Sequence, residues 1–275
     1  MYFVKLWNAF ASLPEVEAIA LGGSRASSNY DKKSDYDLYI YCKTIPEESV
    51  RISILEQCCQ YMEIGNSFWE LEDDCTLKDG IDIDILYRNI DSFAQDISSV
   101  VEKHIAHNGY TTCMWHNLLN SQILYDESGR FEALQKRFNV SYPAELKSNI
   151  IKQNMRLLTG NLPSYDFQIK KAVGRGDLVS VNHRTAAFLE SYFDIIFAMN
   201  EMTHPGEKRM VKYALSGTTR PGCVTDANTS NCLPSILPAN FEANLNTLFA
   251  DLFGDPKKVE SDIQCIIDEL QKVLD

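Results

Sequence analysis

Residues 17–41 read EAIALGGSRASSNYDKKSDYDLYIY, and the way this stretch divides decides the fold. Glu17–Leu21 is a short apolar strand that stops at Gly22-Gly23. Tyr36–Tyr41, rich in aromatic and branched side chains, is a second strand. Ten residues separate Ser24 from Asp35, and Asp35-Tyr36-Asp37-Leu38 opens that second strand. Alternation along a strand turns Asp35 and Asp37 to one face, about 6–7 Å apart. Paired carboxylates on one face suit hard divalent cations, which take oxygen ligands. Gly22-Gly23 permits positive φ and close approach of the backbone to a ligand. Backbone N–H groups at a turn attract phosphate, and the Ser24 hydroxyl adds a donor.

Working outward, Ile81–Tyr87 (IDIDILY) alternates strictly and is a third strand, with Asp82 and Asp84 on the face opposite its isoleucines. Asp is depleted in strands, so two on one face call for a reason. Val50–Met62 and Ser92–Ala106 have helical spacing. Beyond residue 112 the chain reads almost wholly helical: Arg130–Phe138, Ala144–Leu158, Tyr165–Val173, Asp177–Met202, Lys208–Leu215, Asn240–Phe253 and Lys257–Leu274. Asp255-Pro256 is a start signal for the last of these. Ser216–Pro238 reads as a long loop. The expected domains are therefore 1–112 and 113–275.

Each feature has an ordinary reading when taken singly. Gly22-Gly23 can end any strand, Asp35 and Asp37 can form a solvated turn after Lys32-Lys33-Ser34, and Asp82 and Asp84 can face water. It is the three pieces in order, at this spacing, that favour a site. The acidic run Glu70, Glu72, Asp73, Asp74 reads as a solvated loop. Phe188, Tyr192, Ile195, Ile196 and Met199 form a core stripe at helical spacing.

Composition narrows the function. The chain has 275 residues, 45% of them hydrophobic and 23% charged, which suits one large or two ordinary globular domains at about 150 residues each. Its net charge is −12. Residues 1–112 hold 9 Lys and Arg against 19 Asp and Glu, so most of the acidity lies there. Such a chain is ill-suited to gripping nucleic-acid phosphates or anionic membranes. No signal peptide is visible and no apolar run approaches about 18 residues, so a cytoplasmic protein is expected. Eight cysteines, with no Cys-x-x-Cys spacing, read as reduced thiols. A redox pair of Cys223 and Cys232 has no support in the sequence.

The pattern of Gly23-Ser24, then Asp35 and Asp37, then an acid on a later strand resembles the nucleotidyltransferase superfamily of the DNA polymerase beta type. The resemblance covers about residues 17–90. Leu189–Ala214 looks like the helical domain of a bacterial branch related to small-molecule antibiotic nucleotidyltransferases. In that branch the third acid stands in an apolar–Asp–apolar–apolar–Tyr pattern, which Ile83–Tyr87 matches, so Asp84 is chosen over Asp82. The resemblance implies an α/β N-terminal nucleotidyltransferase domain, a small mixed sheet with helices, followed by an all-α helical-bundle C-terminal domain. It implies two Mg²⁺ ions on Asp35, Asp37 and Asp84, and a nucleoside triphosphate donor, ATP foremost. An acceptor hydroxyl attacks the α-phosphate and pyrophosphate leaves; Asp84 is also the candidate to draw the hydroxyl proton.

Gly23, Ser24 and Arg25 are the expected phosphate contacts, Arg25 with an equal claim to being a plain surface residue. Lys208, Arg209 and Lys212 are further candidates for the triphosphate, against the alternative of a solvated basic face. The expected acceptor is a small, hydroxylated, cationic molecule, with no nucleic acid and no membrane as partner; a homodimer stays open. Two rival readings remain: transfer to a protein side chain, and a catalytically silent nucleotide-binding or antitoxin-like module.

Overall fold

The protein is described from a computed structural model, over residues 2–26, 34–68, 70–217 and 235–275. Its contacts divide it into two compact units, residues 1–99 with 117–139, and residues 100–116 with 140–275. The first unit thus takes in a stretch beyond residue 112 that the sequence reading placed with the helices.

The first unit is built on a six-stranded sheet in the order β3-β4-β5-β2-β1-β6. The strands are β1 (Val16–Gly22), β2 (Tyr36–Cys42), β3 (Cys59–Asn66), β4 (Glu72–Leu77), β5 (Asp82–Asn89) and β6 (Gln122–Tyr125). The sheet is mixed: β2 and β5 run parallel, and every other neighbouring pair is antiparallel. Helices α1 (Tyr2–Ala11), α2 (Glu48–Leu55), α3 (Ile90–Val101) and α5 (Arg130–Phe138) accompany it. Helix α4 (Cys113–Asn120) is shared between the two units along the chain.

Alternation gives the sheet two unlike faces. On one, Leu38, Ile40 and Cys42 of β2, Ile83, Ile85 and Tyr87 of β5, and Cys75 and Leu77 of β4 join Leu6, Phe10, Ile54 and Leu55 in a single core. Burying these side chains supplies most of the unit's stability, at about 25 cal/mol per Å² of apolar surface. The opposite face carries Asp37, Tyr39 and Tyr41 of β2 beside Asp84, Leu86 and Arg88 of β5. Towards the C-terminal ends of these strands that face is buried: Tyr41 packs on Phe93 of α3 and Phe131 of α5. Towards their N-terminal ends it stays part-open and carries the carboxylates.

Two expectations are corrected. The helix read over Val50–Met62 ends at Leu55, and the chain turns into β3 at Cys59. Backbone hydrogen bonds Glu56→Ile52 and Cys58→Leu55 close the helix, and Lys78 N–H then bonds the Cys58 carbonyl as the β3–β4 hairpin forms. The apolar residues that continue the helical spacing, Cys59 and Met62, are equally served by a strand. The acidic run read as a solvated loop is instead largely strand β4, and its Asp73 is fully buried. Asp73 accepts from Tyr87 Oη at 2.8 Å and from Gly65 N–H at 2.9 Å, and pairs with buried Arg51 at 3.4 Å.

The second unit is helical: α6 (Ala144–Leu158), α7 (Tyr165–Arg175), α8 (Leu178–Met199), α9 (Met210–Ser216), α10 (Phe241–Gly254) and α11 (Val259–Leu274). Asp177 caps α8 by accepting from Ser180 N–H and Oγ. The α8 residues Phe188, Tyr192, Ile195, Ile196 and Met199 are buried at the centre of this unit's core. A buried polar knot pins its N-terminal segment: Asp194 accepts from Thr111 N–H and Oγ1 and from Asn154 Nδ2. Cys42, Cys58, Cys59 and Cys75 are buried thiols and Cys265 is exposed, whereas Cys223 and Cys232 lie outside the described residues. Most of the Ser216–Pro238 loop lies outside them too. No helix among the described residues is long and apolar enough to cross a membrane.

Candidate active site

The parallel pairing of β2 with β5 sets Asp37 directly opposite Asp84. The antiparallel pairing of β1 with β2 sets Gly22 opposite Asp37. The Gly22-Gly23 turn, the Asp37 strand and the Asp84 strand, distant in sequence, therefore meet at one end of the three neighbouring strands β1, β2 and β5. Asp82 sits one step further out, opposite Thr76 and hydrogen-bonded to its hydroxyl at 2.7 Å, beyond the first β2 pairing at Tyr36–Ile83.

Both glycines are required where they stand. A Cβ on Gly22 would lie 2.1 Å from Cε2 of the Tyr39 ring. Gly23 has φ of +60°, and a Cβ there would lie 1.7 Å from Asp37 Oδ2. The absent side chain is what lets the Asp37 carboxylate lie against the turn. Ser24–Ala26 then form a 3₁₀ turn.

The carboxylates do not stop at three. Asp84 also faces Asp74 of β4, and Asp74 faces Glu63 of β3, so Asp37, Asp84, Asp74 and Glu63 form one cross-strand row. Asn66 Nδ2 donates to Asp74 Oδ2 at 3.0 Å. Like charges directly opposite each other destabilise a sheet, and Asp84 registers the strain. Burial first, then Asp37, Asp74, Asp35 and Glu72, push its carboxyl up to about 6. The Glu72 carboxyl is raised as well, by burial and then by Asp74 and Glu70. A carboxyl poised there exchanges protons near neutrality. The same crowding of anionic oxygen suits a hard divalent cation, although among the described residues no three His, Cys, Asp or Glu side chains already stand in metal-ligating geometry.

Arg25 does something the sequence did not indicate. Its Nε donates to the carbonyl of Ser34 at 2.7 Å and that of Asp35 at 3.1 Å, and its guanidinium lies 4.0 Å from the centroid of the Tyr36 ring. A second unread group sits deeper on the same face. Buried Arg88 forks onto Glu70 at 2.7 and 3.1 Å, donates to Asn117 at 3.0 Å and Tyr41 Oη at 3.3 Å, and stacks 4.3 Å from Tyr39. It thereby fixes the ring that presses on Gly22. The signal was the β5 alternation itself, which puts Arg88 on the face of Asp84. Lys208, Arg209 and Lys212 are exposed and belong to the second unit, where α9 begins at Met210 rather than at Lys208.

Residues 4–107 match the nucleotidyltransferase domain family, and residues 111–210 match a domain of unknown function, DUF4037. No curated protein matches the chain. Among solved structures, a nucleotidyltransferase-like protein from Exiguobacterium sibiricum is similar at 9% identity and TM-score 0.42, over 98% of this chain and 71% of that one. An aminoglycoside 6-adenyltransferase from Bacillus subtilis is similar at 9% identity and TM-score 0.27, over 98% of this chain and 89% of that one. Terminal uridylyl transferase 4 from Trypanosoma brucei, with bound GTP, is similar at 12% identity and TM-score 0.27, over 96% and 91%. Likenesses this distant carry no argument about chemistry; the matched family does. Residues 4–107 therefore form a nucleotidyltransferase domain, and residues 111–210 a DUF4037 domain.

Proposed function

We propose that the protein transfers a nucleoside monophosphate, AMP from ATP, to a hydroxyl of a small cationic molecule and releases pyrophosphate. The observation that carries this reading is the Asp37–Asp84 pair, face to face across β2 and β5, with the Asp84 carboxyl pushed up to about 6. In the proposed reaction the acceptor oxygen bonds to the α-phosphorus as the bond from that phosphorus to the bridging oxygen breaks. Asp84, opposite Asp37 on the facing strand, is placed to take the hydroxyl proton. The Gly23-Ser24 turn, lying against Asp37, offers N–H and hydroxyl donors to the phosphates. Asp35, Asp37 and Asp84 are the proposed ligands of two Mg²⁺ ions, which when bound would neutralise charge on the attacking and leaving oxygens.

The acceptor class rests on the rest of the row. Asp74 and Glu63 extend the carboxylates past Asp84 along the same face. Such a surface attracts an ammonium-bearing acceptor and repels a polyanion. Lys208 and Lys212 are kept as proposed donor contacts; if they serve as such, Lys208→Ala and Lys212→Ala raise KM for the triphosphate and leave kcat unchanged.

The test is incorporation of label from each α-³²P nucleoside triphosphate, with Mg²⁺, into aminoglycosides, lincosamides, tRNA and protein. Labelled small molecule from ATP is expected. Labelled RNA or protein without a small-molecule product would overturn the acceptor assignment, and a different preferred nucleotide would overturn ATP as donor.

A further inference from the structure

Two of the three proposed carboxylates are held by the sheet, and the third is not. Asp37 pairs with Gly22 and Asp84, and Asp84 with Asp37 and Asp74. Asp35 stands outside the ladder, because pairing of β2 begins at Tyr36. Its influence still reaches Asp84, whose carboxyl it helps to raise.

Arg25 sits where a clamp is needed. One N–H, on Nε, is shared between the Ser34 and Asp35 carbonyls at 2.7 and 3.1 Å. The guanidinium also lies over the Tyr36 ring, 4.0 Å from its centroid. Phe3 of α1 stacks on Tyr36 as well, with centroids 4.0 Å apart and planes within 7°. Two groups cannot share one face of a ring at that distance, so Arg25 and Phe3 hold Tyr36 between them. Arginine suits this place for physical reasons. Its planar cation stacks on an aromatic face while Nε–H still points along the plane to a carbonyl. A lysine ammonium is a point charge with no plane to stack.

We propose that Arg25 is a positioning residue, which holds the 34–36 backbone from the Gly22-Gly23 turn and from α1 so that Asp35 stands beside Asp37 and Asp84. This rests on the reading of Asp35 as a catalytic carboxylate. It replaces the expectation that Arg25 serves as a phosphate contact.

The experiment compares wild type with Arg25→Lys and Phe3→Leu by two measurements. The first is amide hydrogen exchange of the full chain without nucleotide, which needs no turnover. Exchange at residues 34–36 should rise at least tenfold in Arg25→Lys and severalfold in Phe3→Leu, with β5 amides unchanged. The second is kcat and KM for the triphosphate, with whichever acceptor takes label in the incorporation experiment. The clamp predicts kcat at least tenfold lower in Arg25→Lys, KM within about threefold of wild type, and no rescue by lysine. Unchanged exchange at 34–36 would overturn the clamp. So would raised exchange with wild-type kcat, or a loss confined to KM, which is what a phosphate contact gives. An absence of turnover in the wild type would instead count against the proposed function, and the exchange measurement would still decide the clamp.

Discussion

Replacing Asp84 by Asn removes one charge from the carboxylate row and keeps the side chain's size and strand position. The Asp84 carboxyl stands at about 6 against an ordinary 3.8, through burial first and then Asp37, Asp74, Asp35 and Glu72. A displacement of that size corresponds to about 3 kcal/mol. Asp84 is only half-buried, and solvent screening reduces this to about 1–2 kcal/mol. The folded protein binds the Asp84 proton more tightly than the unfolded chain does. Stability therefore falls as pH rises from about 4 to about 6, and the full penalty is present above that window. Asn carries no such penalty. Asp84→Asn should equal wild type in stability near pH 4 and exceed it by about 1–2 kcal/mol at pH 7.5. At about 2–4 °C per kcal/mol that is a gain of several degrees in Tm. Thermal melts of both proteins at half-unit steps between pH 4 and 7.5 measure it. A less stable variant at pH 7.5, or a gain of the same size at pH 4, would refute the idea that the row is electrostatically strained. The variant should at the same time lose transfer, since a functional carboxylate can be stability-costly.

Asp37→Asn should abolish transfer and leave the far-ultraviolet circular dichroism unchanged, with a loss of several kcal/mol in transition-state stabilisation; turnover at the wild-type rate would remove the central assignment. Mg²⁺ with ATP should raise Tm together, and Mg²⁺ alone only slightly; a large shift with Mg²⁺ alone would indicate a structural ion instead. Ser24→Ala should weaken ATP binding by about 1.5–3 kcal/mol, one hydrogen bond to a charged oxygen, as read by calorimetry; unchanged affinity would remove Ser24 from the phosphate site. Asp73→Ala should cost about 3–5 kcal/mol in urea unfolding, because it leaves Arg51 buried without its carboxylate; a loss below 1 kcal/mol would show that water replaces the ion pair.

The elements around the motif were legible because each combines a period with a stop. IDIDILY can only be a strand with its carboxylates on one face, and EAIAL is closed by two glycines. The long helices α8 and α11 declare themselves by sustained spacing. The end of the helix read from Val50, over Glu56 to Met62, and the acidic run from Glu70 to Asp74 were misread, and for a physical reason. Cys59 and Met62 continue a helical spacing by coincidence, so nothing local marks the turn at Glu56–Cys58. Strand β4 was hidden because its inward-facing positions are Asp73, Cys75 and Leu77. An Asp in the first of them breaks the apolar alternation by which a strand is recognised. Only the partners Arg51, Tyr87 and Gly65 N–H, remote in sequence, make that Asp tolerable inside.

Asp73 and Asp74 show why charge alone is a poor guide to function here. They are neighbours of one type, and in sequence they look interchangeable. The pleat sends them to opposite faces. Asp73 enters the core and is consumed by three partners, so its job is to tie α2 and β3 to the sheet. Asp74 joins the row with Asp37, Asp84 and Glu63, receives a hydrogen bond from Asn66, and helps to raise Asp84. Net charge counts both equally. The distinction rests on register: a one-residue slip of β4 exchanges its two faces, and the slip that moves Asp74 into the place of Cys75 would bury it away from Arg51 and turn Asp73 towards Asp84. The Arg51–Asp73 pair therefore does more than stabilise the unit. By disfavouring that slip, it helps to set which carboxylates reach the site.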